Sequence, residues 1–183
     1  IGLRWRTTDR RIAPRNGQEL DVRAGFGERN ANDSSQTQYR VELDFNNYWQ
    51  FADLLVLRNR FQYGRFDGDL STSELGPSYY NELFRYGGIQ NLRGFDEQSL
   101  FVSEYLIGTI ELRLLTGMSG YFLAFTEFGF LQSGTLIDFE LPTTGSVWSF
   151  GAGAAFQTPA GLLNLTYALG RLNEGSFQFD RAK

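Results

Sequence analysis

The sequence predicts an all-β protein, and more specifically an antiparallel transmembrane β-barrel. Apolar and polar residues alternate with a period of two along successive runs, as in strands whose two faces differ. One face is apolar and aromatic, whereas the other is rich in charge. Short and longer connections alternate, as they do in outer-membrane barrels with short periplasmic turns and longer outer loops.

The alternation predicts four strands in the first part of the chain, at residues 1–8, 19–27, 38–45 and 51–63. Residues 9–17 contain Pro14, Asn16 and Gly17, which are turn-forming residues. The polar stretch 28–36 is expected to be a loop. A short turn is expected at Asn46–Asn47.

Five further strands are expected after a long loop at about 64–98, at residues 100–115, 121–131, 148–157, 163–169 and an incomplete one from Gly175. Short turns are expected at 116–120 and 158–161, and a longer loop at 132–145. The chain therefore supplies about eight or nine strands of a barrel.

Charge on one face separates this pattern from that of a soluble sandwich. The charged face carries Arg23, Arg40, Glu42, Arg58, Arg60, Glu111 and Arg113. A packed soluble core does not tolerate so many charges. A sandwich would instead turn its wet face to bulk water, but its strands average about five to six residues. The runs here are nearer the roughly nine to eleven residues that cross a bilayer.

Composition excludes several classes of function. The 183 residues contain no cysteine and no histidine, so there is no disulfide framework, no thiolate metal site and no histidine base. No run approaches the roughly twenty apolar residues of a transmembrane helix. The net charge of −4 argues against nucleic acid as a partner. The first and last residues lie inside alternating runs, so we expect a fragment. No signal-peptide pattern is present at Ile1, so we expect any export signal to lie outside this chain.

The segment 87–97 is the most informative part of the long loop. It contains Gly87, Gly88 and Gly94 together with Arg93 and Phe95, a composition too rich in glycine for a helix and too interrupted for a strand. Loops of this length usually have a function. The simpler interpretation is an ordinary surface loop whose arginine is solvated.

Arg93-Gly94-Phe95, preceded by Gly87-Gly88 and followed by the strand that contains Glu111, resembles the conserved-loop signature of the BamA/TamA superfamily of outer-membrane assembly and translocation barrels. Further stretches resemble the same family in the same order: Asp9-Arg10-Arg11 with Pro14 and Gly17, Glu111-Leu112-Arg113, residues 125–129, and residues 151–168. The resemblance spans essentially the whole chain.

The resemblance implies that residues 1–183 are the C-terminal part of one barrel domain with about sixteen strands. It also implies that the loop 64–98 folds into the lumen, where Arg93 meets an acidic residue of the wall. The partner would be Glu127, which stands at the aspartate position of the Phe-x-Asp-x-Gly pattern of the family, with Glu111 nearby as the alternative. A small self-contained barrel is the alternative architecture.

The function implied by the resemblance is non-enzymatic assembly, insertion or translocation of proteins in the bacterial outer membrane. The implied partners are outer-membrane lipid, unfolded outer-membrane protein substrates, assembly-complex subunits and the remaining barrel strands. We expect no catalytic residue, metal or cofactor, since the chain lacks a histidine for a triad, a Gly-x-Ser-x-Gly elbow and a phosphate loop. The alternatives are the membrane barrel of a patatin-like phospholipase or other surface hydrolase, and a passive pore.

Overall fold

The structure is a computed structural model that describes residues 1–31, 34–68, 82–116, 120–132, 144–159, 161–173, 175 and 178–179. These residues form strands joined by turns and loops. None of them belongs to a helix long and apolar enough to span a membrane. Parts of the predicted connections at 64–98, 116–120, 132–145 and 158–161, and most of the predicted strand from Gly175, lie outside the described residues.

Eleven strands are present within the described residues. They are β1 (Gly2–Arg6), β2 (Gly17–Ala31), β3 (Ser34–Ala52), β4 (Leu55–Gly68), β5 (Phe84–Tyr86), β6 (Leu100–Val102), β7 (Glu104–Leu115), β8 (Gly120–Gln132), β9 (Gly145–Thr158), β10 (Gly161–Leu172) and β11 (Gln178–Phe179).

Nine of these strands form a single antiparallel sheet in the order β1-β2-β3-β4-β7-β8-β9-β10-β11. Strands β5 and β6 pair with each other in a separate two-stranded sheet, inserted in the chain between β4 and β7. Among the described residues no pairing joins β1 to β11, so the sheet is open and these strands are its edges. The predicted all-β, antiparallel fold with about nine strands is confirmed.

Along β7 and β8 the apolar face of the sheet is exposed and the face that carries the charges is buried, which is the reverse of a soluble protein. We call the face that contacts the inserted loop (residues 82–103) the inner face, and the opposite one the outer face. On β7 the inner side chains of Tyr105 and Glu111 are buried, whereas Leu106 and Leu112 on the outer face are exposed. The large apolar residues of the outer face of β7 and β8 are 39–66% exposed. Such an outer surface suits acyl chains.

The turn predicted at Asn46–Asn47 is wrong. Strand β3 continues through both residues to Ala52, and the chain reverses at residues 53–54. The Asn46 amide donates to Asp44 Oδ1 at 2.8 Å and accepts from Arg58 Nη2 at 2.8 Å. Because its side chain is used within the sheet, it does not form the local backbone bonds that favour a turn.

Other element boundaries differ from the prediction. Strands β2 and β3 extend into the stretch 28–36 that was expected to be a loop, and β4 continues to Gly68, beyond the predicted start of the long loop. The strand predicted at 100–115 is divided at Ser103 into β6 and β7. Ser103 N donates to Gln132 O at 2.8 Å, so the chain joins the main sheet at this residue.

Candidate functional site

The inserted loop has a defined internal structure. Its strands β5 and β6 form a stem, and residues 87–99 form the tip. Gly88 N donates to Phe95 O at 3.0 Å across the tip. Gly87, Gly88 and Gly94 have φ values of 111°, 93° and 85°, in the left-handed region that glycine adopts without strain. These three glycines therefore permit the fold of the tip.

Arg93 binds Glu127 of β8 through both its backbone and its side chain. Its backbone N–H donates to Glu127 Oε2 at 2.7 Å, and its Nε donates to Oε1 at 2.8 Å. Nη2 lies 2.7 Å from the same Oε1. A guanidinium fork on a carboxylate is directional, so these contacts fix the orientation of the loop as well as its position.

Arg93 also binds Glu111 of β7. Its Nη1 donates to Glu111 Oε2 at 2.7 Å. The other oxygen of Glu111 accepts from Arg113 Nε at 2.8 Å, and Arg58 Nη1 lies 3.6 Å from Oε2. Glu111 is thus shared among three arginines. Both acidic residues proposed as alternatives are contacts of Arg93, and its role in function stays a prediction.

An aromatic ring lies beneath the guanidinium. The Cζ of Arg93 is 3.4 Å from the centroid of the Phe125 ring, which is the geometry of a cation–π contact. Arg93 is 8% exposed, while Glu111 and Glu127 are 1% and 2% exposed. Charges buried to this degree are tolerated because each is paired and hydrogen-bonded.

The strand register explains how these residues meet. Glu111 is paired with Arg58 on one side and Phe125 on the other. Glu127 is paired with Thr109 and with Ser149, whose Oγ donates to Glu127 Oε2 at 3.2 Å. Because neighbours in register share a face, two adjacent rows of the sheet bring the two acids and several of their contacts onto the same face.

Apolar side chains form a second attachment of the loop. The buried cluster consists of Phe66, Phe84, Tyr86, Leu92, Val102, Tyr105, Ile107, Leu131 and Val147, with Phe95, Leu100 and Leu172 packed against it. The Tyr86 and Tyr105 rings are 4.2 Å apart, and Phe84 meets Tyr105 edge-on at 5.0 Å. The loop is therefore held on the inner face by packing as well as by charge.

Two arginines of the wall bind carbonyl groups of the loop. Arg40 Nη1 donates to Glu82 O at 3.0 Å, and its Cζ lies 4.0 Å from the Phe84 ring centroid. Arg60 Nη1 donates to Gln90 O at 3.0 Å. The sequence placed both arginines on the charged face, but did not indicate that they contact the loop. That contact depends on the path of the loop backbone.

The arrangement suits mechanical attachment rather than chemistry. Glu111 and Glu127 each accept from guanidinium groups, so this pair does not offer a free acid and base. Within the described residues, no cluster of acidic side chains has the geometry to hold a metal ion. What the site does is hold a long loop against strands β7 and β8.

An antiparallel sheet with an apolar outer face and a loop bound to its charged inner face is typical of outer-membrane barrel proteins. The family model for the Omp85 superfamily domain matches residues 1–180. The chain therefore belongs to the Omp85 superfamily, a superfamily of outer-membrane β-barrels. The resemblance to the BamA/TamA superfamily is confirmed at this level. No curated protein matches the chain.

Proposed function

We propose that this chain is the C-terminal part of a bacterial outer-membrane barrel that inserts unfolded outer-membrane proteins or translocates a passenger protein. The observation that carries the proposal is the buried contact of Arg93 with both Glu111 and Glu127. It ties a long loop to the inner wall of a barrel that belongs to the assembly and translocation family.

The attached loop favours this function over a passive pore. A channel for solutes needs free space along its inner wall, whereas here Phe84, Tyr86 and Leu92 of the loop pack on that wall. Strands β7 and β8 are braced by a contact that does not depend on the strand ladder. Such bracing suits a barrel whose wall changes while a protein passes.

The proposed partners follow from the surfaces of the sheet. The exposed apolar outer face requires membrane lipid. Within the described part of the chain the edges at β1 and β11 carry unpaired backbone groups that lipid cannot satisfy, so the remaining barrel strands are the proposed partners there. Unfolded outer-membrane proteins are the proposed substrates, and subunits of an assembly complex are proposed as further partners.

The complete protein in lipid vesicles, mixed with an unfolded outer-membrane barrel, provides the test. Folding of the substrate is followed by its heat-dependent gel mobility. We expect the protein to accelerate folding and the Arg93→Ala variant to be slower, because the loop loses its attachment. Arg85→Ala is the matched control, since Arg85 lies in the same loop but is exposed, with its Cζ 5.6 Å from the Phe101 ring.

Other readouts on the same vesicles separate the alternatives. Protease protection of a passenger would indicate translocation, which the proposal also includes. Fatty-acid release would indicate a phospholipase, and solute flux without folding or passenger transport would indicate a pore. Either of the last two results, obtained without accelerated folding or transport, would overturn the proposal.

A further inference from the structure

Two glycines from distant parts of the chain meet backbone to backbone. Gly94 lies at the loop tip and Gly170 lies on β10. A Cβ atom added at Gly94 would lie 2.7 Å from Gly170 N and from Leu169 C. A Cβ atom added at Gly170 would overlap Gly94 O and lie 2.7 Å from Phe95 Cε2. The contact exists only because both residues lack a side chain.

Gly170 occupies a special position on β10. It pairs with Gln178, and its neighbour Leu169 pairs with Phe179. The loop tip therefore touches β10 at the level where the described residues of β11 pair with it.

We propose that the loop tip and strand β11 are conformationally coupled through the contact of Gly94 with Gly170. Gly170 is a positioning residue: the seated tip fixes the β10 backbone where β11 pairs. When the tip detaches from β10, the β10 backbone becomes more mobile near Gly170 and β11 separates from it more often. The Arg93 contacts with β7 and β8 thereby influence a strand of the sheet that they do not touch.

The coupling does not depend on which cargo the barrel handles. It requires only that the tip is seated and that β11 pairs with β10. A negative result in the vesicle experiment would not contradict the coupling. A negative result for the coupling would not contradict the proposed function. Local opening of a strand is measurable as amide hydrogen exchange, because opening exposes the paired N–H groups to water.

The decisive variant is on the loop side, because a change at Gly170 acts directly on its pairing with Gln178. Gly94→Ala in the complete protein, held in lipid nanodiscs, places a methyl group against the β10 backbone. Gly161→Ala is the matched control: it also has a positive φ, 138°, but has no heavy atom within 4 Å of the added Cβ. Exchange is measured by mass spectrometry in peptides covering the loop tip and residues 178–179.

We expect Gly94→Ala to raise exchange severalfold in both peptides while β2 and β3 keep their normal rates. We expect Gly161→Ala to leave both peptides unchanged. Increased exchange in the loop with no change at 178–179 would overturn the coupling, and so would an unchanged loop.

Two further variants keep the test independent of the folding of Gly94→Ala. Phe95→Ala removes the ring beside Gly170 and needs no glycine conformation, so exchange should again rise in both peptides. Gly170→Ala should raise exchange in the loop tip, whereas Gly27→Ala, a strand glycine whose added Cβ meets nothing within 4 Å, should not. A loop tip that keeps its normal exchange in Gly170→Ala, or an unchanged 178–179 peptide in Phe95→Ala, would contradict the proposal.

Discussion

Arginine–carboxylate pairs occur on the inner face both near the β1 edge of the sheet and at its centre, but they differ in burial. On β1 and β2, Arg4 and Asp21 form a pair whose side chains are 68% and 21% exposed. On β7 and β8, the side chains of Arg93, Glu111 and Glu127 are at most 9% exposed. The inserted loop makes the difference, because it covers the second group and supplies its central arginine.

The comparison shows that identical chemistry has two different consequences. Exposed pairs are screened by water and contribute about 0–1 kcal/mol each. Buried pairs depend on each other, since removing one partner leaves a charge without solvent or counter-charge. We therefore expect the covered group to stabilise the barrel and position the loop, while the pairs on β1–β3 mainly keep the inner face hydrated.

Removing Glu111 should have the largest effect. Glu111→Ala leaves Arg58, Arg93 and Arg113 facing one another under the loop. We expect the free energy of unfolding to fall by roughly 3–5 kcal/mol. Urea unfolding of the complete protein, followed by tryptophan fluorescence, measures it. Asp53→Ala in the exposed β3–β4 turn is the control. A loss below about 1 kcal/mol for Glu111→Ala would mean that the buried pairs contribute no more to stability than the exposed pairs do.

A charge on the outer face tests the opposite surface. Phe150 lies on β9 and is 39% exposed in the apolar outer face. Phe150→Arg should lower the free energy of unfolding by roughly 2–4 kcal/mol, because arginine is costly where acyl chains surround it. The same unfolding measurement in lipid applies, with Phe150→Leu as the apolar control. Equal stability of the two variants would show that this face meets water.

Crowding beneath the loop should have an intermediate effect. A Cβ atom added at Gly64 of β4 would overlap the Tyr105 ring, which itself packs on Phe84 and Tyr86 of the loop. We expect Gly64→Ala to cost roughly 1–3 kcal/mol. Gly27→Ala in the unfolding assay is the control. Stability equal to that of the control would mean that Tyr105 is free to move, and that the apolar attachment is loose.

The uncovered pairs should have the smallest effect. Asp21 accepts from Arg4 Nε at 2.8 Å and from Arg23 Nε at 3.0 Å, yet Arg4 and Arg23 are well exposed. We expect Asp21→Ala to change stability by less than about 1 kcal/mol. A double-mutant cycle with Arg4→Ala measures the pair itself. A loss of stability in Asp21→Ala as large as that expected for Glu111→Ala would show that burial does not separate the two groups.

The alternation of residues predicted most of the sheet because the period of two is local. It places Glu111 and Glu127 on one face, and the resemblance to the family indicates Arg93 as their partner. Alternation indicates which face of a strand each residue occupies, but it does not indicate where the strand ends. Asparagine favours turns in isolation. The sequence did not show that Arg58 of the neighbouring strand would donate hydrogen bonds to the Asn46 side chain.

The parts of the site that the sequence did not predict depend on register between strands. Phe125 lies under Arg93 because it pairs with Glu111, and Ser149 reaches Glu127 because those two residues pair. Gly170 was one glycine among 21, and its role follows only from the position of the loop tip. The sequence did show polar residues on the charged face of neighbouring strands. It did not show which of these residues would pair with one another across the sheet.

The most direct measurement is a cryo-EM structure of the complete protein in a lipid nanodisc. It tests whether the loop lies inside the barrel with its arginine bound to the wall. We expect the Arg93 guanidinium to lie within hydrogen-bonding distance of Glu111 and Glu127 inside a closed lumen. A loop outside the barrel, with Arg93 in solvent and the two glutamates bound to other residues, would contradict it.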